Sequence, residues 1–207
     1  MWEILARGGV LMIPIGLCSV IGGTIILERA YRFWRARNDS APFVAGVMEL
    51  VRAGRVGEAL TESRRRRGPV ASVIASGLEQ SEGAGTGAAE KVVSRVGSRE
   101  LRCLETNLRG LSVIANVAPL LGLLGTVVGM IRAFMQIEAH GGRVDVSMLA
   151  GGIWEAMMTT AAGLSVAIPC LLFYNFFMSR ITRIEEDMRE HANDLIDTLK
   201  EAEGGGL

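Results

Sequence analysis

The sequence holds little that could do covalent chemistry. Its three cysteines, Cys18, Cys103 and Cys170, lie far apart, and its two histidines, His140 and His191, have no Cys or His close by. That spacing argues against a disulfide framework or a zinc site and leaves the cysteines as small apolar packing residues. No Walker A, GxGxxG, HExxH or GxSxG string occurs, so the sequence offers no basis for an enzyme and none for a bound cofactor or metal. Charged residues make up only 21% of the chain and the mean hydropathy is +0.32, which is unusual for a soluble globule.

The apolar residues are unevenly placed. Gly8 to Leu27, Leu111 to Ile131 and Ala156 to Ser179 contain no Asp, Glu, Lys or Arg, giving runs of 20, 21 and 24 residues. A bilayer's hydrocarbon core needs about 20 helical residues at ~1.5 Å rise each, so each run is long enough to cross. The sequence therefore predicts an all-α, polytopic membrane protein with three transmembrane helices.

The zero net charge hides an asymmetry. Of the 22 Lys and Arg, only Arg7, Arg132 and Arg143 fall outside Glu28 to Gly110 and Arg180 to Leu207. Those two segments share one side if all three runs span, and the positive-inside rule makes that side the cytoplasm. The N-terminus is then periplasmic and the C-terminus cytoplasmic, in a bacterial inner membrane. A cleaved signal peptide is disfavoured, because the first run continues into Glu28-Arg29-Ala30-Tyr31-Arg32-Phe33-Trp34-Arg35, an aromatic and basic interfacial anchor.

The expected organisation is an outer N-terminus with the first span over 1–27, a cytoplasmic helical segment over 28–110 and a second span over 111–137. A short periplasmic loop over 138–150, a third span over 151–179 and a cytoplasmic helical tail over 180–207 complete it. In the cytoplasmic segment a weak amphipathic pattern (Val44, Val47, Met48, Val51, Val56, Leu60) and a clearer one (Val93, Val96, Leu101, Leu104, Leu108, Leu111) are separated by the Gly-rich stretch Ser81 to Gly87. With Thr86 as a possible cap, the second pattern predicts one long helix that enters the membrane without a break. Ile181, Ile184, Met188, Leu195 and Leu199 extend the third span as a second long helix, its stripe able to zip against the first. Gly141-Gly142 suits a tight turn between the spans, and Gly204 to Gly206 a frayed end.

On a helical wheel the second span has a small face of Ala115, Ala118, Gly122, Gly125, Thr126, Gly129 and Ala133. Such a face lets helices pack closely, and for Gly122, Gly125 and Gly129 that role suffices. The third span repeats the theme with Ala156, Thr160, Gly163, Ala167 and Cys170, with Thr159 on the adjoining edge. A threonine here either lines a polar seam or bonds a carbonyl one turn back in its own helix. Glu155 is a functional candidate, since a carboxylate at mid-bilayer costs roughly 2.5–3.5 kcal/mol, or else an interfacial residue beside Trp154. Pro119 and Pro169 lie inside the second and third spans as expected kinks. The run Arg64 to Arg67 lacks interleaved aromatics and fits topology or anionic lipid better than nucleic acid.

Two strings go further. APLLGLLGTVVGMI, from Ala118 to Ile131, and EAMMTTAAGLSVAIP, from Glu155 to Pro169, with Tyr174-Asn175 after it, resemble the MotA/TolQ/ExbB proton channel family, and the three-span plan resembles its ExbB/TolQ branch. The resemblance implies the channel-forming subunit of an inner-membrane proton-driven motor. It implies a homopentamer around a dimer of a single-span ExbD/TolR-like partner, which supplies a titrating aspartate. Thr126 and Thr160 then match the family's pore hydroxyls, and Glu155 its third-span glutamate, while Arg132 departs from the family's pattern. On the wheel Glu155 points more nearly with Thr159 than with Thr160. The alternative is a non-conducting membrane scaffold; a solute transporter is weakened by the absence of an inverted repeat. Nutrient uptake, envelope maintenance, gliding and secretion remain equally open as the work performed.

Overall fold

The computed structural model describes residues 9–35, 41–139 and 146–204. Every element among them is helical: α1 Met12–Arg35, α2 Ala41–Arg52, α3 Val56–Arg65, α4 Pro69–Ala84, α5 Thr86–Glu105, α6 Leu108–Ala139 and α7 Val146–Gly204. Three helical stretches, in α1, α6 and α7, are long and apolar enough to cross a membrane. The chain divides into two compact units, one of residues 1–30 with 107–177 and the other of 31–106 with 178–207. The expected Gly141-Gly142 turn, Arg7, Arg143 and His140 lie outside the described residues, as do Gly205 and Gly206. Val146 to Ala150, expected in the loop, already form the start of α7.

The first unit is built on close backbone contact. α6 and α7 form an antiparallel hairpin in which a methyl group at Gly163 would fall 2.5 Å from the Ala118 carbonyl oxygen. A methyl at Gly122 would fall 3.0 Å from the Thr159 carbonyl oxygen, and one at Gly129 would meet the Ala156 Cβ at 3.1 Å. Gly152, unremarked in the sequence, completes the series opposite Ala133. In hydrocarbon no hydrophobic effect drives helices together, so dispersion between closely approached backbones has to do it, and side chains at the seam must be small. Both helices pass through their prolines, Pro119 and Pro169, without interruption. α1 is more than the plain anchor that its composition suggests. Ile15, Gly22 and Arg29 are buried at seven-residue intervals, and a methyl at Gly22 would overlap the Cys170 sulfur at 2.8 Å. Cys170 is thus a packing residue, whereas Cys103 is exposed and does not pack as expected.

The second unit has an ordinary apolar core. Phe43, Val44, Val47, Met48 and Val51 from α2 meet Val70, Ile74 and Leu78 from α4 and Met188, Leu195 and Leu199 from α7. The weak first pattern is therefore a genuine core face. α4 was hidden because its stripe starts directly after the arginine run, with Pro69 at its first turn. Helix α4 then continues through most of the Gly-rich stretch, and only Gly85, at φ +78°, breaks the chain before α5. Gly85 takes the cap position, so Thr86 is the first helical residue and not the cap. Between α2 and α3, Gly54 at φ +71° closes a Schellman turn, its N–H donating to the Val51 carbonyl at 3.0 Å and that of Arg55 to Leu50 at 2.9 Å. Within the arginine run, Arg64 pairs with Glu79 at 2.7 Å and Arg66 lies over the Phe43 ring at 5.0 Å.

The continuous helix expected from Thr86 into the second span is instead two helices. Asn107, at φ +67°, ends the regular path between α5 and α6. Asn tolerates this left-handed conformation better than other side chains that carry a Cβ, and its amide donates to the Glu28 carboxylate at 3.0 Å. α7, by contrast, is unbroken over its 59 residues.

Two outcomes follow from this packing. Leu78→Ala, at a fully buried position, should destabilise the chain by about 2–5 kcal/mol and lower its melting temperature in detergent. Gly163→Val should cost about 1–3 kcal/mol by forcing α6 and α7 apart. An unchanged melting curve for Gly163→Val would mean that the hairpin does not depend on this contact.

Candidate functional site

The close hairpin decides which polar groups of the spans are buried and what they bond. Thr159 is 1% exposed. Its Oγ1 donates to the Ala156 carbonyl at 2.7 Å, and its side chain fills the space that a Cβ at Gly125 would need. Thr160 is half-buried, and its Oγ1 crosses the hairpin to donate to the Gly122 carbonyl at 3.1 Å. That carbonyl is within reach because Gly122 has no side chain to hold α7 away. The buried stripe of α7 therefore runs Ala156, Thr159, Gly163, Ala167, Cys170, with Thr159 in the line where the wheel placed Thr160.

Glu155 lies one turn before Thr159. Its Oε1 accepts from Arg132 Nη1 at 2.9 Å, with the two side chains 25% and 48% exposed. Gly9, at φ +70°, abuts the same carboxylate so closely that any Cβ there would collide with it. Glu155, Arg132, Thr159, Gly125 and Val10 line a cavity of about 20 Å³, room for about one water molecule. This pairing was not foreseen from the wheel of either helix alone. The signal was available in the hairpin register, since glycine contacts that run Gly122, Gly125, Gly129 on α6 against Thr160, Thr159, Ala156 on α7 carry Arg132 toward Glu155.

The four hydroxyl and carboxyl residues singled out by sequence do not form one cluster. Glu155 and Thr159 share the small cavity, and Thr160 bonds across the seam beside it. Thr126 stands apart, its Oγ1 donating to the Leu123 carbonyl of its own helix at 2.6 Å. Away from the seam, Leu120, Leu123, Leu124, Val127, Ile131 and Ile168 are exposed, an apolar surface that requires lipid or another protein to cover it. Among the described residues no group of three or more His, Cys, Asp and Glu is placed to hold a metal.

Comparison with known proteins shows the family of the chain. A sequence model of the MotA/TolQ/ExbB proton channel family matches residues 65–190, which include the first unit's part of the hairpin and about half of the second unit. An ExbB homologue of Methanothermobacter thermautotrophicus is 32% identical over 185 residues, covering 86% of this chain and 63% of its own length. The biopolymer transport protein ExbB of Neisseria meningitidis is 29% identical over 197 residues, with 86% of each protein covered. The Tol-Pal system protein TolQ of Haemophilus influenzae is 40% identical over 90 residues, 44% of this chain and 39% of the relative. With three spans and a match over this extent, the chain is a multi-pass membrane protein that belongs to the MotA/TolQ/ExbB proton channel family.

Proposed function

We propose that the chain is the channel-forming subunit of an inner-membrane, proton-driven motor of the ExbB/TolQ kind, oriented with its N-terminus in the periplasm and its C-terminus in the cytoplasm. Five copies would surround an ExbD/TolR-like single-span partner, as in energised outer-membrane transport. The observation that carries this reading is a buried threonine, Thr159, beside a cross-helix threonine, Thr160, on a closely packed seam where both hydroxyls bond backbone carbonyls. The charge-free runs of α6 and α7 contain no acid. A wall of hydroxyls can pass a proton between waters or to another protein's carboxylate, but it cannot store one at neutral pH. The titrating group is therefore assigned to the partner, with Thr126, Thr159, Thr160 and Glu155 as the lining. A proton crossing 100 mV releases roughly 2.3 kcal/mol, so a few crossings per step suffice to turn one assembly against another.

The scaffold reading draws on the same bonds. Thr126 and Thr159 are each satisfied by a carbonyl of their own helix, as purely structural threonines would be. The two readings separate on substitution. In proteoliposomes holding the chain with its single-span partner, Thr160→Val and Thr126→Val should each reduce inward proton flux by about tenfold, equivalent to roughly 1.4 kcal/mol on the barrier. Glu155→Gln should reduce it as well. Flux that is absent in the unaltered complex, or indifferent to all three changes, would leave the scaffold as the better account.

A further inference from the structure

We infer that Arg132 is the positioning residue for Glu155 and keeps that carboxylate from serving as a site for monovalent metal cations. As an assignment of ion selectivity it rests on the channel reading above; as an assignment of the ion pair it does not. The argument begins from the oxygen atoms around the cavity. Glu155 presents a carboxylate, and Thr159 a hydroxyl one turn away. An anionic carboxylate and a neutral hydroxyl lining one space of about 20 Å³ are the kind of oxygen donors that hard cations such as sodium prefer. Acidic side chains in membrane pathways draw cations for this reason.

Arg132 changes what the carboxylate can do. Its guanidinium holds Oε1 at 2.9 Å, supplying the positive charge that a metal ion would otherwise bring. Gly9 closes a further side, its backbone lying directly against the carboxylate. Only a glycine fits there, because a Cβ would displace the carboxylate, and φ +70° suits no ordinary side chain. Glu155 is thus gripped between a cation from α6 and the backbone that leads into α1. Water and hydroxyls can still relay a proton past a compensated pair, whereas a sodium ion would have to displace the arginine.

The test uses a hydrophobic carbodiimide, which adds to a protonated carboxyl and ends as a stable N-acylurea detectable on the Glu155 peptide by mass spectrometry. The complex of the full chain with its partner is labelled in sodium chloride and in choline chloride at equal ionic strength. In the unaltered chain Glu155 should react slowly and equally in both salts. In Arg132→Gln it should react about tenfold faster in choline, as loss of one partly buried pair predicts, and sodium should slow it again. Should that variant not assemble, Arg132→Met keeps the apolar stem and carries the same comparison. Equal labelling with and without the arginine, or fast labelling that sodium leaves untouched, overturns the inference. Neither result depends on proton flux, so failure of the channel reading would show in the flux assay and failure of this one in the labelling.

Discussion

The contact on which the first unit depends is the one between Gly163 and the Ala118 carbonyl, together with its repeats at Gly122, Gly125, Gly129 and Gly152. Helices in lipid gain nothing by hiding leucines from one another, because the lipid is as apolar as they are. Their association has to come from backbone surfaces meeting at van der Waals distance. Once that requirement is met, the positions of the polar groups follow. Thr160 reaches the Gly122 carbonyl only because no side chain intervenes, and Thr159 is sealed against Gly125 for the same reason. The hydroxyls of the seam are a consequence of close packing as much as an addition to it.

Charge obeys the same constraint. The long apolar stretches are free of charge, and at the edges of the second and third runs Arg132 and Glu155 meet as a pair. An isolated charge in hydrocarbon would be costly, while a pair separated by 2.9 Å with part of each side chain exposed is tolerable. Its net contribution to stability need not be large. Its consequence is geometric, since it ties α6 and α7 together near their connecting segment and sets the direction of the carboxylate nearest Thr159 among the described residues.

The crossings, the small faces and the all-α class were readable because each leaves a signature within a single helix: a charge-free run, or glycines three and four apart. What was not readable depends on partners from elsewhere in the chain. Arg132 and Glu155 each looked like an isolated anomaly until the hairpin register joined them. The buried heptad of α1 at Ile15, Gly22 and Arg29 mixes an aliphatic residue, a glycine and an arginine, so no hydropathy scale marks it as one face. The break at Asn107 escaped notice because neither Gly nor Pro is there, and the residue adopting φ +67° is the one non-glycine recorded with a positive φ among the described residues. α4 was missed for a different reason. Its apolar stripe of Val70, Val73, Ile74 and Leu78 was overshadowed by the arginines before it and the glycines after it.

The longest helix shows how one chain meets two solvents. Along α7 the buried stripe passes from Ala156, Thr159, Gly163, Ala167 and Cys170 to Met188, Leu195 and Leu199 without changing its helical period. Only the size of the residues changes. In the first part the neighbouring helix must come close, so the stripe is small. In the second part, which joins an apolar core with Val47, Ile74 and Leu78, water makes the burial of large side chains favourable at roughly 25 cal/mol per Å², so the stripe is bulky. Along α7 the stripe is thus small where it meets α6 and bulky where it joins the apolar core, and the small part leaves the hydroxyls room that bulky residues would have filled.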